Sequence, residues 1–135
     1  MKARIYHAHA RCTYRRQAER REQVIIRQIF PEHEIVDPGL YDENEEKRFG
    51  GVEYCIKLVD SCDALAFSRI LGKVTSGVGL EVEHALASRK SVYEIIGNGV
   101  RPVSEPPAYV SIQETLQLYD EWEDENFDEW EAEIQ

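Results

Sequence analysis

With 135 residues, the chain is long enough for one hydrophobic core of about five strands and their covering helices, so no second domain is required. Its 16 basic and 26 acidic residues give a formal charge of -10, which opposes the counterion-driven attraction that duplex nucleic acid relies on. No apolar run approaches the roughly 20 residues of a membrane-spanning helix, which leaves a small-molecule ligand as the expected partner, not nucleic acid or a membrane.

The start, "ARIYHA" (Ala3 to Ala8), reads as a short strand and not as a signal peptide. A polar loop follows, then a helical pattern with Ala18, Val24, Ile25, Ile29 and Phe30 on its apolar side. Arg11, Arg15, Arg16, Arg20, Arg21 and Arg27 crowd this region, and the helix arginines are expected at the surface. Pro31 stops the helix, and "HEIVDPG" supplies a second strand ended by Pro38 and Gly39.

After the acidic loop "LYDENEEKRFGG", a helix carrying Val52, Ile56, Leu58 and Val59 leads into "ALAFS" (Ala64 to Ser68), the best candidate for a buried strand. A glycine-bearing segment comes next, then a helix from about Val78 to Ser88 and the strand "SVYEII". "AYVSI" near residue 110 is expected as a fifth strand and "QETLQLYDEW" as a closing helix. The alternation predicts an α/β fold: a single Rossmann-like or flavodoxin-like domain with a parallel sheet of about five strands and helices on both faces. The folded body is taken as residues 1 to about 120, followed by an acidic, aromatic tail from 121 to 135. Trp122, Phe127 and Trp130 of that tail are expected to pack on the body or on a second subunit, and its acids to attract the arginine-rich start.

Ligands of such sheets are received beyond the carboxyl ends of the strands, which singles out the loops His7 to Thr13 and Arg69 to Gly79. In the second loop, Gly77 and Gly79 permit close backbone approach, Thr75 and Ser76 add hydroxyls, and helix-start N–H groups attract an anion. Glu81 then falls in the first helical turn, where it either offsets the helix dipole or reaches a bound sugar. Glu83 lies about 200° further round and does not share its direction, whereas His84 does and could bond Glu81. His7 and His9 are expected to point to opposite faces, so that only one lines a pocket. Arg11, in the loop, is the arginine best placed to hold a phosphate, and Tyr41 and Asp42 sit where a lid or a plain polar connection would lie. Cys12, Cys55 and Cys62 lack the spacing of a zinc site, so a reduced, cytoplasmic setting without a metal is expected.

"TSGVGLEVEHALASRKSV" after "DALAFS" resembles the signature of the nucleoside 2-deoxyribosyltransferase-like superfamily, closest to its 2'-deoxynucleoside 5'-monophosphate N-hydrolase branch. "RIYHAHAR" and "DSCDALAFS" are similar to that family's first strand and to its central strand with the preceding Asp, here Asp63. The resemblance implies that Glu81 acts at the anomeric carbon of a nucleotide or nucleoside, as nucleophile or electrostatic stabiliser. It places Thr75, Ser76, Gly77 and Gly79 around the 5'-phosphate, and His7, Ala8, His9 and Arg11 around the base or sugar. It implies no cofactor, and a homodimer whose neighbouring chain helps close the pocket. The chain departs from the family where Cys55 replaces an Asp, for which Glu53 or Asp60 could substitute, where "HAHA" replaces smaller residues, and where the stretch Ala64 to Thr75 is about two residues longer. Hydrolysis, transfer to a second base, cleavage of NAD and binding without turnover are all open on the sequence.

Overall fold

The computed structural model describes residues 2–42, 44 and 51–126. Strand β1 (Ala3–Ala8) is an interior strand of the sheet, and its alternating side chains serve two cores. Tyr6 and Ala8 join the larger apolar cluster, and Ile5 joins a second one with Ile26, Ala64 and Ala66. Helix α1 (Gln17–Ile29) covers the second cluster, and helices α2 (Val52–Asp60) and α3 (Ser76–Ala87) cover the first. The expected helices on both faces are therefore present.

Strands β2 (His33–Val36), β3 (Ala64–Phe67), β4 (Ser91–Ile96) and β5 (Gly99–Val103) complete a sheet of order β2-β1-β3-β4-β5. The first four are parallel, and all four residues of β3 are buried, as a strand covered on both faces requires. The fifth strand corrects the sequence reading twice. It is "GVRPV" rather than "AYVSI", and it runs antiparallel to β4.

The cause is local. Ile96 pairs with Gly99 across the two-residue loop Gly97–Asn98, and Gly97 takes φ +58°, so a tight hairpin fills the sheet edge before a crossover could reach it. The "AYVSI" segment is instead tied by the Val110 N–H to the Val74 carbonyl at 3.0 Å.

On β4, Glu94 is buried between two arginines, with Arg69 Nε at 2.7 Å and Arg101 Nη2 at 2.9 Å. Burial pushes its carboxyl up, but the bonds and charges of the two arginines outweigh that and hold it below the usual 4.5. Because the folded-state value is depressed, the stability Glu94 supplies is present above its unfolded value and is lost as the pH falls through the folded one. Wild-type protein is therefore expected to exceed a Glu94→Gln variant in melting temperature at pH 7, the gap closing at acidic pH. A gap independent of pH would show that the pairing contributes nothing.

Helix α4 (Ile112–Glu125) starts at Ser111, whose hydroxyl accepts the Glu114 N–H at 3.1 Å. It runs across residue 120, so the limit set for the folded body falls inside a helix. Trp122 is buried in a third cluster with Ala10, Ile70 and Leu118, on its own body. Arg16 lies with its guanidinium carbon 4.9 Å from the Trp122 ring centroid and its Nη1 3.2 Å from Glu123. The arginine-rich start and the acidic end do attract each other. Arg16, which caps the start of α1, is only 2% exposed, whereas Arg20, Arg21 and Arg27 within the helix are at the surface as expected. Phe127 and Trp130 lie outside the described residues.

Candidate active site

The strand order reverses at β1, so the chain leaves β1 and β3 toward opposite faces and a crevice opens between the two exits. A cavity of about 500 Å³ occupies this place. Glu81 lines it and is only 7% exposed, but it lies in the second turn of α3 and not in the first as expected, because the helix starts two residues earlier, at Ser76. Tyr6, pointing from β1 toward the same side, donates its hydroxyl to Glu81 Oε2. Burial, reinforced by the neighbouring carboxylate, holds the Tyr6 phenol well above its ordinary pKa, so it remains a donor. The arrangement orients a carboxylate at the wall of an apolar-and-polar pocket, which suits stabilising positive charge or attacking an electrophilic carbon.

Thr75, Gly77, His9 and Arg11 also line the cavity, from the two loops named by the sequence. The remaining predicted residues are placed elsewhere. Ala8 is wholly buried in the core. The Ser76 N–H is taken by Thr115 Oγ1 of α4 at 2.9 Å, which leaves the expected anion cradle without one of its amides. Gly79 faces α4's approach segment, where a Cβ would come within 2.2 Å of the Tyr109 ring. Its lack of a side chain therefore serves packing. Gly79→Ala is expected to cost about 1–3 kcal/mol in urea unfolding, because the atoms met are the base of the ring and not a flexible tip. An unchanged midpoint would contradict that packing role.

His7 and His9 do not point to opposite faces. Residues two apart on an extended chain share a face, and the two rings stack with centroids 3.7 Å apart and planes 11° from parallel. His7 accepts from Gln23 Nε2 at Nδ1 and donates from Nε2 to Glu22, at 3.3 and 2.9 Å. Burial and the adjacent His9 lower its pKa, which favours the neutral ring, and His7 is not part of the cavity lining. His9 is different. Its Nδ1 donates to the His7 carbonyl at 2.8 Å and its Nε2 meets Glu19 at 2.7 Å, so both nitrogens face acceptors. Burial pulls its pKa down, but the bonds to Glu19 and to the His7 carbonyl more than reverse this and raise it above the ordinary value.

The lining also includes Tyr14 and Tyr119, which the sequence reading did not single out, together with Asp42 and Cys55, which it did, the latter at the place of the family's Asp. Asp42 is held by Arg15 Nη2 at 3.1 Å and puts a carboxylate on the lining that also contains Cys55. Neither proposed substitute does so: Glu53 is exposed on α2 and absent from the lining, and Asp60 accepts from His84 at 2.6 Å on the surface. His84 is thereby engaged away from Glu81. Asp63 sits at the amino end of β3, where its Oδ2 accepts the Arg4 N–H at 2.8 Å. Tyr41 packs against Tyr54, with ring centroids 6.0 Å apart. Burial pushes the Cys12 thiol up to about 12 and raises Cys62, so neither is a thiolate near neutral pH.

The chain matches no family model, no curated protein and no solved structure. The site is therefore read from its own geometry. Among the described residues, no helix is long and apolar enough to cross a membrane.

Proposed function

We propose that the protein hydrolyses the N-glycosidic bond of a (deoxy)nucleoside 5'-monophosphate, releasing the base and a sugar phosphate. The observation that carries this reading is Glu81, buried at the wall of a nucleotide-sized cavity and aligned by the Tyr6 hydroxyl. As the glycosidic bond breaks, positive charge develops at C1', and a fixed carboxylate there lowers the barrier either by stabilising that charge or by attacking the carbon. Water then completes the exchange. Arg11, Thr75 and Gly77 are the groups left to receive the phosphate, since Ser76 and Gly79 are engaged with α4 and its approach segment. Asp42 is placed to hold sugar hydroxyls. The sheet order is that of flavodoxin-like folds, with the last strand reversed, and supports the proposed Rossmann-like class and its ligand crevice.

The resemblance to the nucleoside 2-deoxyribosyltransferase-like superfamily supports the same chemistry, and with it a cytoplasmic homodimer, which sedimentation at micromolar concentration tests. A second reading, binding of a nucleotide without turnover, is favoured by one observation: the Thr115 hydroxyl caps an amide that a phosphate would otherwise use. The deciding experiment presents ribo- and deoxyribonucleosides, their 5'-monophosphates and NAD to the purified chain, with and without an added second base, and follows base by chromatography. Base released from monophosphates supports hydrolysis. Base exchange indicates transfer, release of nicotinamide indicates NAD cleavage, and ligand-dependent thermal stabilisation without release indicates the binding protein.

A further inference from the structure

His9, Glu19 and Asp37 come from three separate segments and bring a ring nitrogen and two carboxylate oxygens within 4.8 Å of one another. They are 3%, 7% and 7% exposed. Three buried polar groups are thereby each other's neighbours, with a ring nitrogen and two carboxylate oxygens converging on one point.

The surroundings are those of a ligand set. The His9 Nδ1–H is fixed on the His7 carbonyl at 2.8 Å, which aims Nε2 at the two carboxylates. Glu19 Oε1 accepts the Arg15 N–H at 3.1 Å, which turns Oε2 toward His9. Asp37 Oδ2 is held by Gln23 Nε2 at 2.9 Å and Oδ1 by the Gly39 N–H at 2.9 Å, the latter oxygen lying 4.0 Å from His9 Nε2. Each first ligand thus has an outer partner that orients it, as bound metals require.

We propose that His9, Glu19 and Asp37 form a binding site for a divalent transition metal of the zinc type. The ion takes the place of the Nε2 proton of His9, which leaves to solvent. Tetrahedral zinc bonds of about 2.1 Å put neighbouring ligand atoms about 3.4 Å apart. The observed separations of 2.7 and 4.0 Å lie on either side of that value, so small side-chain adjustments suffice. The imidazole ligand selects against magnesium and calcium, which take oxygen. His9 lines the cavity, which gives the ion its path in. Binding here is independent of the glycosidase reading, because its test needs no turnover.

The test titrates the untagged full chain, stripped with a chelator, with Zn²⁺, and separately with Mg²⁺ and Ca²⁺. One Zn²⁺ per chain is expected, with a raised melting temperature and an affinity at least about tenfold weaker in Asp37→Asn and Glu19→Gln. Nitrogen-15 spectra of the wild-type side chains should show the His9 Nε2 proton lost on Zn²⁺ addition, a reading that does not depend on any variant folding. Co²⁺ in place of Zn²⁺ should give no sulfur charge-transfer band. Persistence of the Nε2 proton under saturating Zn²⁺, a sulfur band from Cys55, equal affinity in the carboxamide variants, or no binding at all would each overturn the site.

Discussion

Glu81→Gln is expected to reduce base release from the preferred 5'-monophosphate by about 10³-fold or more while leaving nucleotide binding within a few-fold of wild type. The substitution keeps the shape of the side chain and a carbonyl oxygen that can still accept from Tyr6. It removes the charge that the account places against C1'. Rate by base chromatography and affinity by calorimetry separate the two effects. A variant that retains wild-type turnover would reduce Glu81 to a buried carboxylate that merely satisfies the Tyr6 hydroxyl.

Tyr6→Phe is expected to have the next largest effect, through Glu81 and not through substrate. The phenol is wholly buried and gives one donor to a buried carboxylate. Its loss should cost about 1.5–3 kcal/mol in urea unfolding, the range for hydrogen bonds to charged groups. Because the carboxylate is then less well aligned, kcat should fall about 10- to 100-fold with KM little changed. A purely structural role for Tyr6 would lower stability without that split. Equal stability and equal kcat would show that the bond has no consequence.

Much of the frame was readable because periodicity and punctuation agree along most of the chain. The all-buried "ALAF" strand, Pro31 after α1 and the glycine-rich entrance to α3 each say the same thing locally and globally. The hairpin was missed because "YEIIGNGVRPV" was read for its first strand only, although the Gly-Asn pair is a turn signal in its own right. Position after the glycines left Glu81 open between a helix-dipole role and a ligand role; the family resemblance singled it out, and the structure puts it on the cavity lining. Tyr6 was within reach, since alternation along β1 puts it on the face away from His7 and toward α3.

Other features depend on contacts between segments distant in the chain. Thr115 reaches Ser76 across 39 positions, and Tyr109 closes over Gly79, so two members of the expected phosphate cradle serve α4 and its approach instead. Nothing in either segment's own pattern announces this. The stacked histidines follow from the two-residue period of an extended chain. Their opposite pKa shifts follow from burial and the neighbouring ring at His7 and from the bond to Glu19 at His9, contacts that only the folded packing supplies.

The most direct test of the central claim is to incubate the full chain with 2'-deoxynucleoside 5'-monophosphates near neutral pH and quantify base and sugar phosphate together. The account predicts the two products in equal amounts, with catalytic turnover. Intact nucleotides after prolonged incubation at high protein concentration would contradict it, and would leave the cavity between β1 and β3 as a site that binds without cleaving.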